Sequence, residues 1–216
     1  VKNLTFIKGD ICSYKNLEKS MKDIDAVIHL AYINGTSSFY KIPERIIEVA
    51  VKGLVNIFDV CLKKKIKELY LASSSEVYHF PSKIPTNEKT SLLIPDPTNP
   101  RFSYGAGKIL TEIYGLSFAK YFKKLVIFRP HNVYGPDMGN DHVIPEIINK
   151  LLNLKKGKLK IQGSGKETRS FIYIEDFVQS IKLIIKNGKH KNIYNIGNNE
   201  EISILKLVKQ IIKILN

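Results

Sequence analysis

A run of serines and a tyrosine–lysine pair are the residues of this sequence best suited to chemistry. An apolar run ends in serines at 73–75, and Tyr104 and Lys108 follow about thirty residues later. A tyrosine removes an alcohol proton only as phenolate, and bringing its pKa from about 10 to neutrality takes about 4 kcal/mol. An ammonium at about 4–5 Å supplies roughly 3–4 kcal/mol. Residues four apart share one helix face, so Tyr104 and Lys108 are predicted to act together, with the Ser74 hydroxyl sharing the moving proton.

The context of the pair gives it weight, because its spacing alone is not specific. With 11 tyrosines among many lysines, about one or two Tyr-x-x-x-Lys pairs are expected by chance, and one occurs. This one follows a strand-like run that ends in serines and a proline-rich excursion, and it begins a helical pattern. Glu76, just after the serines, adds a carboxylate that could remove a further proton.

Seven short segments stand in a characteristic order along nearly all of the chain. They are Gly-Asp-Ile (9–11), Ile-His-Leu-Ala (28–31), Ser-Ser-Ser-Glu-Val-Tyr (73–78), Tyr-Gly-Ala-Gly-Lys (104–108), Arg-Pro-His-Asn-Val-Tyr-Gly-Pro (129–136), Arg-Ser-Phe-Ile-Tyr (169–173) and Tyr-Asn-Ile-Gly (194–197). Together they resemble the extended short-chain dehydrogenase/reductase family, specifically its nucleotide-sugar epimerases and dehydratases. The resemblance implies transient oxidation of a nucleotide-diphosphate sugar at C4, with NAD or NADP as cofactor. A nucleotide-sugar decarboxylase of the same family is the alternative, and the choice between epimerase and dehydratase stays open.

The resemblance also implies a role for each matching residue. The catalytic residues would be Ser74, Glu76, Tyr104 and Lys108. The cofactor-binding residues would be Asp10, Ile11, Leu30, Ala31, Ser73, Tyr104, Lys108 and Pro130. The substrate-binding residues would be Ser74, Asn132, His142, Val143, Gln162 and Arg169. No metal site is predicted.

Structural alternatives stay open for several of these residues. Asp10 also fits a turn at the end of a strand, and Asn132 fits a plain turn. Arg169 could be a solvated surface arginine. His29 is predicted to be a core histidine rather than a catalyst.

Two positions depart from the family pattern, and the arginines are few. Ala50 stands where the family usually has asparagine, which puts one cofactor hydrogen bond in doubt, and His79 stands where glycine is common. Lysine dominates the basic residues, so each arginine is predicted to mark a site that needs a bidentate guanidinium. The four arginines are Arg45, Arg101, Arg129 and Arg169.

Composition limits the class of protein. The 216 residues are 44% hydrophobic, enough for a sizeable core, and no apolar run approaches the length of a membrane span. Two distant cysteines and the lack of a signal-peptide pattern predict a cytoplasmic protein. The net charge of +14 would suit a non-catalytic nucleic-acid-binding relative. We expect no nucleic-acid partner, because most lysines fall on polar helix faces.

Alternating strand and helix patterns predict the fold class. Predicted strands are 4–7, 25–31, 67–73, 124–128, 159–161, 171–174 and 192–196. Predicted helices are 16–22, 43–64, 103–123, 143–154, one beginning at 174, and 203–215, with irregular segments at 80–100 and 129–141. The expected fold is α/β, a Rossmann-like doubly wound parallel sheet with a small C-terminal substrate-binding α/β part. Residues 1–131 would form the NAD-binding part and 132–216 mostly the substrate-binding part, interleaved in one unit.

The beginning of a dinucleotide fold is missing from the pattern. No Gly-x-Gly-x-x-Gly turn occurs, although such a turn normally places pyrophosphate at a helix N-terminus. By resemblance, 4–7 would be the third strand, so the sheet would lack its first two strands and leave an apolar edge at 25–31. We therefore expect an internal fragment of a longer protein that binds NAD poorly alone. A homodimer through the helices at 43–64 and 103–123 is implied by the resemblance.

Overall fold

A four-stranded parallel sheet lies at the centre of the computed structural model, which describes residues 3–154 and 157–215. The strands are β1 (Ala26–His29), β2 (Glu68–Ala72), β3 (Lys124–Pro130), β4 (Asn132–Tyr134), β5 (Thr168–Arg169), β6 (Phe171–Tyr173), β7 (Ile193–Ile196) and β8 (Ile202–Ser203). The central order is β1-β2-β3-β7, with every pair parallel. This confirms the predicted parallel α/β architecture.

Helices cover both faces of the central sheet. They are α1 (Tyr14–Ser20), α2 (Thr36–Lys41), α3 (Pro43–Glu48), α4 (Leu54–Lys63), α5 (Ser103–Phe118), α6 (Val143–Leu152), α7 (Ile174–Asn187) and α8 (Ile204–Leu215). Leu69 and Leu71 of β2 pack with α4, while Tyr70 and Ala72 pack in the cluster that contains Ile184 of α7. Because alternate residues of a strand point to opposite faces, the apolar run 69–72 of β2 is buried on both sides of the sheet. The sheet is therefore doubly wound.

The predicted long helix at 43–64 is present with a local change of winding. Between α3 and α4 the chain continues as a π-helical turn, Val49–Gly53. Gly53 lies so close to Ile11 that a Cβ would stand 2.5 Å from the Ile11 Cδ1 atom. Such π turns insert one extra residue and often lie at functional sites. Here the turn brings Ala50 against α5.

A smaller α/β part follows the central sheet. It contains the parallel pair β4–β6, the antiparallel pair β5–β8, and an apolar cluster shared by α6 and α8. The Ser203 hydroxyl accepts a hydrogen bond from the Lys206 backbone at 3.2 Å, which caps α8 near its predicted start. The predicted irregular segment 129–141 differs in two respects, because β3 continues through Pro130 and the segment contains β4.

Two predicted strands are wrong. Residues 4–7 form no strand, and Leu4 and Phe6 are 73% and 88% exposed. A strand needs a neighbour for its ladder of hydrogen bonds, and none of the described residues lies beside this segment as a strand. Residues 159–161 are also irregular, because Leu159 and Ile161 act as apolar contacts of the α6–α8 cluster instead of pairing. The predicted exposed apolar edge is found at β1, where Ile28 is exposed.

Candidate active site

The first turns of α5 dock onto the carboxyl end of β2. Tyr104 and Ser74 line the same cleft, and the Ser74 side chain lies close enough to Tyr104 to lower its pKa. One turn later, the Lys108 ammonium donates to the Ala72 carbonyl oxygen at 2.7 Å, and its Nζ atom lies 5.7 Å from the centroid of the Tyr104 ring. The carboxyl ends of parallel strands are where α/β folds bind ligands. The structure thus brings together Ser74, Tyr104 and Lys108.

Burial favours the neutral form of both Tyr104 and Lys108, so it shifts their pKa values in opposite directions. It raises the pKa of Tyr104 to about 12, although the hydrogen bond with Ser74 opposes the shift. It lowers the pKa of Lys108 to about 7. A single lysine was expected nearly to suffice to bring the Tyr104 pKa to neutrality, with the positive nicotinamide ring adding a second charge, and in the chain without cofactor the Tyr104 pKa is raised instead. Desolvation by burial is the largest cause of both shifts, and the argument from distance alone did not include it.

The buried lysine makes stability depend on pH in a defined direction. Between pH 7 and 10.5 the unfolded chain holds a proton on Lys108 that the folded chain does not, so the free energy of unfolding rises with pH in this window. We expect the free energy of unfolding of the wild type, minus that of Lys108→Met, to increase from pH 7 to pH 10 in urea titrations. The exposed Lys120→Met variant is the control and should show no such trend. Parallel pH curves for the wild type and Lys108→Met would contradict the assignment.

A second tyrosine, Tyr32, lies against the pair. The Lys108 Nζ atom lies 4.1 Å from the centroid of the Tyr32 ring, and the Tyr32 and Tyr104 rings meet edge to face at 5.1 Å. The Tyr32 hydroxyl is buried and has no hydrogen-bond partner in the part of the chain described. A Cβ at Gly107 would overlap this hydroxyl and stand 2.8 Å from the Cβ of Ala50. Small residues at these two positions therefore let α5 approach the π turn, and sequence reasoning missed Tyr32.

A buried ion pair joins Glu112 of α5 to Arg129 near the carboxyl end of β3. Arg129 donates from Nη2 and Nε to the two carboxylate oxygens of Glu112, at 2.6 and 2.8 Å, and both side chains are only 3% exposed. The guanidinium also donates to the Tyr78 hydroxyl at 2.5 Å. Ser73 donates to the same Glu112 carboxylate, so its hydroxyl is held within the core. Sequence reasoning missed Glu112, although it stands eight residues after Tyr104 and therefore on the same helix face.

Glu76 forms an ion pair with Arg101. The Arg101 Nη2 atom lies 3.0 and 3.3 Å from the two Glu76 oxygens, and the guanidinium carbon lies 5.1 Å from the centroid of the Phe39 ring. The Glu76 backbone amide donates to the Ser74 hydroxyl oxygen at 3.2 Å. Glu76 therefore lies beside Ser74, as predicted, and it forms an ion pair with Arg101, which the sequence did not assign to the site.

His79 has a backbone conformation that favours glycine, and its ring fills space that a side chain at Gly105 would occupy. Its φ of 48° lies in the left-handed region that favours glycine. Its ring meets Phe102 edge to face at 4.9 Å, and its Nε2 atom lies 2.5 Å from where a Cβ of Gly105 would stand. Gly105, in the first turn of α5, has no side chain and therefore leaves space for the His79 ring.

Four further residues, Asp10, Ile11, Leu30 and Ala31, were assigned to the cofactor. Asp10 accepts hydrogen bonds from the Cys12 amide at 2.8 Å and from Arg45 at 2.6 Å, and both lower its pKa. The Ile11 carbonyl accepts from Asn56. Leu30 and Ala31 are exposed. These four residues do not contact the Ser74–Tyr104–Lys108 group in the hydrogen bonds of the described chain.

His29 lies beneath the lysine. Burial, and then the charge of Lys108, lower the pKa of His29 to about 4. The ring is therefore neutral near pH 7 and buried, as expected of a core histidine.

A cleft of about 600 Å³ runs from Tyr104 into the smaller part of the chain. It is lined by every residue predicted to bind substrate, namely Ser74, Asn132, His142, Val143, Gln162 and Arg169. Glu76, Arg101 and Pro130 line it as well. The Asn132 amide donates to the Ser170 carbonyl oxygen at 2.9 Å, which fixes its orientation at the wall. In residues 3–154 and 157–215 no group of three or more metal-ligating side chains occurs.

Most of the few arginines in this chain donate hydrogen bonds to carboxylates. Arg45 donates to Asp10 and to Glu48, Arg101 to Glu76, and Arg129 to Glu112. Arg169 differs, because its Nη1 atom donates to the Thr168 carbonyl oxygen. Three of the four arginines therefore form the ion pairs for which a guanidinium is suited.

The fold and the site together define a class of protein. A doubly wound parallel sheet with a serine at the end of one strand, and a tyrosine and lysine four residues apart on the next long helix, is the arrangement of the extended short-chain dehydrogenases/reductases. Residues 1–197 match the model of the NAD dependent epimerase/dehydratase family. The chain belongs to this family.

Three similar proteins illustrate the range of the family. The chain is 35% identical to a dTDP-D-glucose 4,6-dehydratase of Dictyostelium discoideum over 98% of its own length and 50% of that protein. It is 31% identical to a UDP-N-acetyl-alpha-D-glucosaminuronate decarboxylase of Bacillus cytotoxicus, over 97% and 65% respectively. The crystal structure of a Bacillus anthracis dTDP-glucose 4,6-dehydratase in complex with NAD superposes with a TM-score of 0.81, 27% identity, and 99% and 65% coverage. The chain thus spans about half to two thirds of these relatives. None of its described helices is long and apolar enough to cross a membrane.

Proposed function

We propose that this chain forms the catalytic part of an NAD-dependent enzyme that transiently oxidises C4 of a nucleotide-diphosphate sugar and then epimerises or dehydrates it. The observation that carries the proposal is the meeting of Ser74 and Tyr104, which line the cleft, with the buried Lys108 one turn further along α5. Residues 1–131 would hold the cofactor and 132–216 mostly the substrate. The names of the relatives support the substrate class, since each acts on a nucleotide-linked sugar.

The residues around Lys108 fit the nicotinamide ribose of NAD. The ammonium has three protons and uses one on Ala72, and the buried Tyr32 hydroxyl has no partner among the described residues. These donors would hold ribose hydroxyls, and Pro130 at the cleft wall would lie beside the ring. When bound, the oxidised nicotinamide supplies the acceptor for the two electrons removed at C4. Its positive charge also favours the phenolate of Tyr104, which burial disfavours.

Each catalytic side chain has a separate task. Tyr104, as phenolate, takes the proton of the C4 hydroxyl and becomes a neutral phenol, while Lys108 stabilises the phenolate charge before the transfer. Ser74, next to the Tyr104 oxygen, orients the sugar hydroxyl and shares its proton. In the dehydratase branch, Glu76 would remove the C5 proton that the neighbouring ketone makes acidic. In the epimerase branch, Glu76 would only orient Arg101.

The substrate end of the cleft suits a diphosphate and a base. Arg169 at the wall would bind the diphosphate, for which a guanidinium is well shaped. Asn132 would lie beside the phosphates, and His142, Val143 and Gln162 would contact the base.

Product analysis in deuterated solvent tests the proposal. The complete protein would be incubated with NAD and with UDP- or dTDP-linked hexoses, and the products followed by NMR. Dehydration places deuterium at C5 with loss of water, whereas epimerisation inverts C4 and leaves C5 protonated. Turnover of none of these sugars, by a protein that binds NAD, would contradict the proposed function.

We propose a homodimer through α5 and the helix that runs from α3 to α4. Ile47 and Val51 on that helix, and Ile113 and Leu116 on α5, are apolar and exposed. Exposed apolar side chains on adjacent helices favour association.

Introducing negative charge on this apolar surface tests the dimer. We expect Ile113→Glu with Val51→Glu to yield a monomer in analytical ultracentrifugation, because each carboxylate would have to be buried at the interface. Leu183→Glu is the control, since Leu183 is equally exposed, on α7, away from both helices. A wild-type protein that sediments as a monomer, or a double variant that remains a dimer, would contradict this interface.

A further inference from the structure

The ammonium group of Lys108 is buried without a carboxylate partner. Lys108 is 3% exposed, and it forms none of the ion pairs found among residues 3–154 and 157–215. Its Nζ atom donates to the Ala72 carbonyl oxygen, which uses one of its three protons. A buried ammonium is costly unless the surrounding groups replace the water that it has lost. The other groups around Nζ therefore decide whether Lys108 keeps its proton near neutral pH.

The face of the Tyr32 ring supplies a second contact to this ammonium. The Nζ atom lies over the ring, 4.1 Å from its centroid, and is farther from the Tyr104 ring, at 5.7 Å. An ammonium over an aromatic ring is attracted by the negative charge of the ring face, and the attraction is stronger where water is excluded. A neutral amine carries no such charge, so the ring favours the protonated form of Lys108.

The packing of Tyr32 fixes its ring in this position. The ring meets Tyr104 edge to face at 5.1 Å and packs against the apolar cluster that contains Phe39. Its hydroxyl end and the Cβ of Ala50 both lie where a Cβ of Gly107 would stand. Ala50 occupies a position at which the family usually has asparagine. The two small residues therefore make room for a ring from the segment that follows β1.

The titratable groups on the elements next to Lys108 are either neutral or paired. Near pH 7 both His29 and Tyr104 are neutral, because burial lowers the pKa of the histidine to about 4 and raises that of the tyrosine to about 12. The groups that form ion pairs are Glu48 with Lys52, Glu76 with Arg101, and Glu112 with Arg129. The Ala72 carbonyl oxygen and the Tyr32 ring face are therefore the contacts that favour the charged ammonium.

We propose that Tyr32 is a positioning residue of the active site, whose ring holds the Lys108 ammonium charged and in place beside Tyr104. The inference rests on the proposed function and adds a residue to it. Without the ring, Lys108 would lose its proton more readily and would no longer stabilise the Tyr104 phenolate. The contact is made by the ring face, so phenylalanine at position 32 should replace tyrosine in this role and leucine should not.

The titration of Lys108 tests the inference in the complete protein without cofactor or substrate. Lysines would be labelled with ¹³C, and the Cε resonance of Lys108 identified by its loss in Lys108→Met. Burial lowers the pKa of Lys108 to about 7, so this resonance titrates apart from those of exposed lysines. We expect Tyr32→Leu to lower the Lys108 pKa by about one unit and Tyr32→Phe to leave it within about 0.3 unit.

Fluorinated phenylalanines at position 32 keep the ring in place and withdraw negative charge from its face. The pKa of Lys108 should therefore fall stepwise as fluorines are added, a trend that packing alone would not produce. This series decides the question even if Tyr32→Leu does not fold. Tyr121→Leu is the control, because its ring lies 5.1 Å from the Nζ atom of the exposed Lys120, and it should leave the Lys108 titration unchanged. A Lys108 pKa that does not respond to fluorination, or that is the same in Tyr32→Leu as in the wild type, would overturn the inference.

Kinetics separate this inference from the proposed function. At saturating NAD and nucleotide sugar, the ratio of the wild-type kcat to that of Tyr32→Leu should rise with pH, up to about 10-fold, since one pKa unit is a factor of ten in the charged fraction. A ratio that is independent of pH would contradict the role of the ring and leave the proposed function intact. An inactive wild type that binds NAD would overturn the proposed function, and the titration would still decide whether the ring holds the charge of Lys108.

Discussion

Replacement of Tyr104 by phenylalanine is expected to lower kcat by about 10²- to 10⁴-fold, the usual contribution of a positioned general base. The phenol is buried next to Ser74, and its ring packs on Tyr32 and Phe39. Phenylalanine keeps these ring contacts and loses only the hydroxyl. Steady-state kinetics should therefore show a fall in kcat with little change in the dissociation constant of the nucleotide sugar.

Tyr114→Phe is the matched control for this variant. Tyr114 lies on the same helix, but its ring stacks on Phe118 at 4.5 Å in the core and does not line the cleft. Its loss of a hydroxyl should leave kcat within about two-fold, since hydroxyls remote from the reacting atoms have small effects. Comparable kcat values for the two variants would exclude Tyr104 as the base.

Replacement of Glu112 by glutamine is expected to destabilise the fold by about 3–5 kcal/mol, because it leaves Arg129 charged and unpaired in the core. Burial alone lowers the pKa of Arg129, but the bonds to Glu112 and Tyr78 outweigh it and raise that pKa. The guanidinium stays charged when Glu112 is replaced, because an arginine side chain does not lose its proton in a folded protein. Urea unfolding would measure the loss.

Two further variants separate the buried pair from ion pairs in general. Glu146→Gln breaks the exposed pair with Lys150 and should change the free energy of unfolding by about 0.5 kcal/mol or less. Combining Glu112→Leu with Arg129→Met removes both charges and should recover a large part of the loss. A Glu112→Gln protein as stable as Glu146→Gln would show that the buried pair contributes no more than a surface pair.

Most of the central sheet could be predicted from the sequence because its inner strands, β2 and β3, are buried on both faces. A continuous apolar run such as the one in β2, with helical patterns on either side of it, is typical of a strand in a parallel sheet. The strands predicted at 4–7 and 159–161 are wrong because a strand needs a neighbouring strand to pair with. The alternation of apolar residues alone does not show whether such a neighbour is present. The short helix α2 was missed because its six residues carry no apolar period.

The candidate site could be predicted where one element holds its residues in fixed spacing. Tyr104 and Lys108 share a helix face, and the residues assigned to substrate all line one cleft. Arg101, Tyr32 and Glu112 were missed as site residues because their roles depend on contacts between separate elements. Spacing also could not give the pKa of Tyr104, since it depends on how deeply the helix packs.

A deuterium isotope effect at C4 tests the central proposal most directly. A nucleotide sugar that turns over would be prepared with hydrogen or deuterium at C4 and mixed with excess NAD-loaded protein, and reduction of the cofactor followed by absorbance. Abstraction of the C4 hydroxyl proton by Tyr104 with oxidation at the same carbon predicts slower reduction of the cofactor with the deuterated sugar. It also predicts that reduction is at least about 10²-fold slower in Tyr104→Phe. Equal rates for the two sugars, or reduction as fast in Tyr104→Phe as in the wild type, would contradict the account.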